Sequence, residues 1–175
     1  MLYLSQVTGA SVEEVTGRGT GIDDEGFRNK VRLIQQAIAV NKVDGKNALE
    51  VLAKVGGFEI AGLVGVILAG AATGTPVLID GFISGAAALV ACRIAPEARS
   101  YLAIAHLSVE RGHQRIAREL ALVPLLDFRM RLGEGTGAAL AMPLLDAACA
   151  IFNEMATFQE AGVSEKEETA ERKIH

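Results

Sequence analysis

Residues 60–79 carry no charged side chain, and any fold for this chain must find a place for them. Such a run is long enough to cross a bilayer as one helix. It is interrupted, however, by Thr73-Gly74-Thr75-Pro76, where a proline and a glycine break helical continuity. The stretch therefore divides into a helix of about four turns and a short strand, Pro76-Val77-Leu78-Ile79-Asp80. Its many glycines and alanines suit a tightly packed interior, so it reads as soluble core and not as a membrane span. A continuous apolar strand ending in an acid is typical of parallel sheets covered on both faces.

The segments that follow repeat the pattern. Asp80-Gly81-Phe82 leads into a helix over 84–94, which closes at Ala95-Pro96. Tyr101-Leu102-Ala103-Ile104-Ala105-His106 is the next strand. Ser108 to His113 is a loop and helix start, and the helix continues over 114–120. Val123-Pro124-Leu125-Leu126-Asp127 gives a brief extended piece before a last apolar helix over 136–152. This alternation predicts βαβ units and an α/β fold, a parallel Rossmann-like sheet flanked by helices. Ligands in such sheets bind beyond the carboxyl ends of the strands. The loops after Ile79, His106 and Asp127 then share a rim, and Asp80, Ser108 and Glu134 come near one another.

Upstream, Ser11-Val12-Glu13-Glu14 has the form of a capping box, giving one short helix after a loose start. Gly17-Arg18-Gly19-Thr20-Gly21-Ile22-Asp23-Asp24 is a glycine-rich loop, with Asp23 or Asp24 capping the next helix. Phe27, Val31, Ile34, Ile38 and Leu33 supply its apolar stripe. Lys30 lies off that stripe and by spacing alone reads as a solvated lysine. A polar connection over 41–47 precedes a short helix through Leu49, Leu52 and Ala53. Val55-Gly56-Gly57-Phe58-Glu59 then breaks the chain before residue 60. Residues 164–175 are crowded with charge and are expected to be a frayed helix or a disordered tail.

Composition removes several classes of function. The 175 residues fit one domain, and half of them are apolar, enough to fill a core. A net charge of −4, no tryptophan and no basic stripe exclude a nucleic-acid partner. Cys92 and Cys149 fall inside apolar helical patterns and read as small core residues in a reducing, cytoplasmic setting. No histidine forms a metal-ligand spacing with either cysteine, so no metal is expected. The first residues lack the basic and apolar regions of a signal peptide.

One segment carries chemistry. Arg131-Leu132-Gly133-Glu134-Gly135-Thr136-Gly137 sets a lone carboxylate between two glycines, just before an alanine-rich apolar run. Glycine lets the main chain adopt unusual angles and lets a ligand come close. The loop would hold a half-buried Glu134 at a helix N-terminus, beside free N–H groups suited to an anion. A carboxylate so placed can serve as a general base. Spacing alone equally allows a plain glycine turn with a capping glutamate.

The string RLGEGTGAALAMPLLDAACAIFNEMATF (residues 131–158) resembles the C-terminal signature of the nicotinate-nucleotide:dimethylbenzimidazole phosphoribosyltransferase family. The similarity runs without a large gap from about Val15 to Val163. It implies transfer of phosphoribose from nicotinate mononucleotide to 5,6-dimethylbenzimidazole or a related base, giving alpha-ribazole 5′-phosphate and nicotinate for the cobalamin lower ligand. By this resemblance Glu134 is the base, and Met130 and Leu132 border the acceptor slot. Lys30 and Ser108 hold the 5′-phosphate, while Gly19, Gly21, Gly133 and Gly135 bring the main chain to the nucleotide. Asp80 bonds the ribose or braces the glycine loops. No cofactor is implied.

The resemblance covers only the C-terminal half of the family's chain. Residues 1–16 then form a lead-in and 17–163 the C-terminal part of the transferase domain. The N-terminal half of the family fold, with its Glu-Met-Gly-Ile-Gly-Asn-Thr-Thr segment, is expected to be absent. Three readings remain open: a transferase represented by this half, a nucleotide-binding module without turnover, or a structural fragment. The expected partner is a second copy of the chain or a complementing N-terminal half.

Overall fold

The computed structural model describes residues 2–19, 21–130 and 132–162, so the charged stretch 164–175 lies outside the described residues, as do Thr20 and Arg131. The chain begins with helices α1 (Leu2–Thr8) and α2 (Val12–Val15), then the long α3 (Asp24–Asn41), α4 (Ala48–Val55) and α5 (Phe58–Ala72). Strand β1 (Val77–Ile79) leads to α6 (Phe82–Ile94), and a 3-10 turn (Pro96–Tyr101) enters β2 (Leu102–Ile104). Helices α7 (Arg111–Leu120) and α8 (Thr136–Glu154) complete the order. The described residues up to Met142 form one compact unit, and residues 143–162 belong to another.

Strands β1 and β2 pair in parallel, with Val77 opposite Leu102 and Ile79 opposite Ile104. The ladder then grows by one short piece. Leu125 N–H donates to Ile104 O, Leu107 N–H to Leu126 O, and His106 bridges Leu126 in parallel. The architecture is thus α/β, as expected, but its sheet is small and helices supply most of the core.

Helix α6 is the centre of that core, buried from Gly85 through Ala91. Its small residues allow close packing. A side chain on Gly85 would press on Ile116 of α7, which is itself fully buried. Ile79, Ile104, Val51 and Leu4 fill the space around it.

Several local expectations match. Ser11 and Glu14 make the reciprocal bonds of a capping box. Asp23, not Asp24, caps α3 by accepting from Gly26 N at 2.8 Å. On α3 the stripe holds at Val31, Phe27, Ile34 and Ile38, whereas Leu33 is exposed.

Others require correction. The start is not loose: Leu2–Thr8 is helical, with Tyr3, Leu4 and Val7 buried. So short a helix has little stability of its own and is held by tertiary contacts that a local reading cannot see. Arg93 on α6, for example, donates to Val7 O at 3.0 Å. The uncharged stretch 60–79 is cut where expected, but its helix is not core throughout. On α5 only Val64 and Ile67 are buried, while Phe58 and Val66 face outward. Helix α8 is likewise mostly exposed, burying only Gly137 and Ala141. Apolar composition states what a helix can bury, not what its neighbours cover. Cys149 on α8 is exposed for the same reason, whereas Cys92 is half-buried and both are free thiols. Among the described residues one helix, α8, is long and apolar enough to cross a membrane by length and composition.

Candidate active site

A cavity of about 670 Å³ opens at the carboxyl end of β1. Leu63, Leu78, Phe82 and Ile83 give it an apolar wall. Gly17, Gly19 and Lys30 approach from one side, and Gly133, Glu134 and Gly135 from another. Asp80, Ser84 and Glu110 complete its polar lining. Loops that are far apart in sequence meet here because parallel strands deliver their carboxyl ends to one rim.

The Glu134 loop takes its shape from three successive residues with positive φ: Gly133 at 78°, Glu134 at 57° and Gly135 at 79°. Glycine adopts this region freely, so only Glu134 is strained. Thr136 N–H closes the turn on Gly133 O at 3.1 Å, and α8 begins. Glu134 is exposed and not half-buried as expected, at the middle of this left-handed turn. Its carboxylate has no hydrogen-bond or ion-pair partner among the described residues and lies free at the cavity wall.

The start of α8 also differs from the expectation of vacant N–H groups. Asp80 Oδ2 accepts from Gly135 N at 3.2 Å, and Oδ1 accepts from Ala138 N at 3.0 Å. The acid at the end of β1 thus caps a helix 55 residues further along. Of the two roles open to Asp80, bracing the glycine loop is the one its contacts display.

On the opposite side, Lys30 is half-buried and not on an open surface. Its Nζ donates to Gly17 O at 2.9 Å, pinning the first glycine loop beside the cavity. The Glu110 carboxylate lies close against Gly17, where a Cβ would displace it. Glu110 was missed by sequence reasoning. Its only signal is its position two residues after Ser108, where α7 begins and a side chain can turn toward the rim.

The remaining candidates are less central. Ser108 does not line the cavity: it is 6% exposed, and its Oγ accepts from Glu110 N at 3.3 Å. The rim therefore brings Asp80 and Glu134 together but turns the Ser108 side chain inward. Gly19 lines the cavity with φ 59°, whereas Gly21 stands outside its lining. Met130 is half-buried and Leu132 is exposed, and neither lines this cavity.

Two histidines lie behind the wall, also missed because isolated histidines in apolar surroundings carry no spacing signal. His106 is 3% exposed, with Nε2 at 3.9 Å from Asp80 Oδ1. His113 Nδ1 accepts from Ser108 N at 3.1 Å. Burial, reinforced by nearby His106 and opposed by Asp80, lowers the His113 pKa to about 4, so its ring is neutral at pH 7. Among the described residues no group of three or more His, Cys, Asp or Glu is arranged to hold a metal ion.

The family model described as Phosphoribosyltransferase matches residues 1–163. The chain belongs to this family. Its curated relatives bear the name nicotinate-nucleotide–dimethylbenzimidazole phosphoribosyltransferase. The one from Roseiflexus castenholzii is 59% identical over 94% of this chain and 47% of its own length. A relative from Desulforudis audaxviator is 59% identical over 92% of this chain and 46% of its own. The crystal structure of CobT from Thermus thermophilus superposes with a TM-score of 0.86 at 46% identity, covering 94% of this chain and 49% of that one. This member of the phosphoribosyltransferase family thus spans about half the length of the curated relatives it matches.

Proposed function

We propose that the chain takes part in transferring phosphoribose from nicotinate mononucleotide to 5,6-dimethylbenzimidazole or a related base, in cobalamin lower-ligand synthesis. The observation that carries the reading is that Lys30 and Glu134 line one cavity between two glycine loops. A ring nitrogen of the acceptor attacks the anomeric carbon while the bond to the nicotinate nitrogen breaks. The bonding pair stays with the departing pyridine ring, which becomes neutral. The acceptor's N–H proton passes to Glu134, whose carboxylate is free to accept it. The leaving group needs no acid, which fits a single working carboxylate at this point.

Lys30 supplies a point charge for the 5′-phosphate, with two of its protons not engaged by Gly17 O. The wall of Leu63, Leu78, Phe82 and Ile83 suits a flat ring. Ser108 contributes to phosphate binding through its loop, its hydroxyl being turned inward. Gly19, Gly133 and Gly135 let the main chain meet the nucleotide, and Met130 and Leu132 border the acceptor side beyond this cavity. The reaction belongs in the cytoplasm, in keeping with two free thiols. The exposed apolar faces of α5 and α8 support a covering partner, a second copy or a complementing N-terminal half.

The test is direct. The chain is incubated with nicotinate mononucleotide and dimethylbenzimidazole, alone and with a supplied N-terminal half of a relative, and the riboside product is followed by chromatography. Product in either mixture supports the reading. Calorimetric binding of nicotinate mononucleotide without product in either would favour a nucleotide-binding module.

A further inference from the structure

The buried imidazoles behind the cavity have no part in the chemistry above. Their ring centroids lie 6.0 Å apart, with planes tilted by 31°. Because His113 Nδ1 accepts the Ser108 N–H, the proton of its neutral ring sits on Nε2. Neither His113 Nε2 nor His106 Nδ1 has a hydrogen-bond partner among the described residues. Unpaired buried polar atoms are destabilising, and two of them side by side call for a reason.

His106 offers one. Its backbone is fixed by the sheet, between Ala105 N–H on Ile79 O and Leu107 N–H on Leu126 O. Its ring fills the space where a Cβ on Gly137 would fall, so α8 rests directly on the imidazole. Its Nε2 faces the Asp80 carboxylate at 3.9 Å, beyond hydrogen-bond reach, so that a proton there would turn its dipole toward the carboxylate. Asp80 in turn bonds the amides of Gly135 and Ala138 with its two oxygens. Ser108, His113, His106, Asp80 and the Glu134 loop therefore form one contiguous chain of neighbours.

We infer that His106 is a positioning residue. It holds the Asp80 carboxylate against the amides of Gly135 and Ala138, and thereby keeps Glu134 in its left-handed pose at the cavity wall. The meaning of that pose for catalysis rests on the proposed function, whereas the clamp is a property of the chain itself. Without the imidazole N–H beside it, a half-buried carboxylate swings more readily toward the open cavity. The start of α8 then loses its cap, and Glu134 loses its anchor.

Nitrogen NMR of the wild-type chain provides the first test. A proton on His106 Nε2 is expected, and a proton on Nδ1 alone, which turns a lone pair toward Asp80, would overturn the inference whether or not any variant folds. Amide exchange provides the second. His106→Gln places a donor at the same point and should keep exchange at Gly135 and Ala138 within ~3-fold of wild type. His106→Phe keeps a ring but no donor and should speed that exchange by ~10-fold or more, with Ala105 unchanged. Equal acceleration in both variants would reveal mere packing, and no acceleration in the phenylalanine variant would remove the clamp; either overturns the inference. In a turnover assay His106→Phe should lower kcat by ~10-fold or more, with KM for nicotinate mononucleotide within ~3-fold, and should add little to Asp80→Asn. No turnover by the wild-type chain, either alone or with a supplied N-terminal half, counts against the proposed function, and amide exchange still decides the inference.

Discussion

Replacing His113 by asparagine should flatten the acid side of the stability profile. The wild-type ring is fully buried, and burial lowers its pKa from 6.5 to about 4. Between those values the unfolded chain carries a proton that the folded chain does not. Stability therefore rises with pH across this window and is lost as pH falls through it, while above the window the group contributes no slope. Each pH unit corresponds to ~1.4 kcal/mol, and the window as a whole to on the order of 3 kcal/mol. That is a large share of the ~5–15 kcal/mol that holds a typical domain together. Asparagine can accept the Ser108 N–H in place of Nδ1 but does not titrate. Its lost volume should cost stability equally at every pH. Urea midpoints measured near pH 7.5 and near pH 4.5 for both proteins separate the two effects, since every other acid-sensitive group is common to them. Wild type should lose more stability between the two conditions, by roughly 2–3 kcal/mol. Parallel losses would mean that the ring is protonated in the folded state, and the buried neutral imidazole would have to be abandoned.

Further expectations concern the cavity and the surface. Glu134→Gln should lower turnover by ~10²-fold with little change in the unfolding midpoint, and activity within about threefold of wild type would remove Glu134 from the base role. Lys30→Ala should weaken nicotinate mononucleotide by roughly 1.5 kcal/mol or more in calorimetry while leaving dimethylbenzimidazole unaffected; equal losses for both would point to a structural effect through Gly17. Gly137→Ala should destabilise by about 1–3 kcal/mol in urea, because its methyl meets the His106 ring. Light scattering coupled to size exclusion should find the chain associated, since α5 and α8 expose apolar faces, and a monodisperse monomer would argue against a covering partner.

What the sequence disclosed was local. Ser11, Asp23, Pro76 and the glycines of both loops act through bonds and dihedral angles within a few residues, so their caps and breaks are readable from neighbours alone. The meeting of Asp80 with the Glu134 loop was anticipated because parallel strands share a rim, a rule of topology and not of contact. The sequence did not disclose the face that each apolar helix covers. Helices α5 and α8 have side chains able to be buried on nearly every side, and only the assembled fold shows that Val64 and Ile67, or Gly137 and Ala141, are the covered ones. Glu110 and the two histidines stayed hidden for the opposite reason. Each is a single polar residue whose importance arises from a neighbour far off in the chain: Gly17 for Glu110, Asp80 for His106.

The position of Glu134 follows from a balance of these long-range contacts with local strain. A left-handed glutamate is disfavoured by roughly 1–2 kcal/mol, and the glycines at 133 and 135 keep the same cost from arising on either side. Asp80 offsets it from across the fold with two charge-assisted bonds, each worth about 1.5–3 kcal/mol. These bonds fall on Gly135 and Ala138, leaving Glu134 itself unbonded among the described residues. The loop is thus fixed by its main chain, and its carboxylate has no partner among the described residues. An arrangement selected only for stability would engage that carboxylate or replace it with a third glycine. Holding a strained acid, without a partner among the described residues, at the wall of a cavity suits the proposed base role, and the acid at the end of β1 braces the loop that does so.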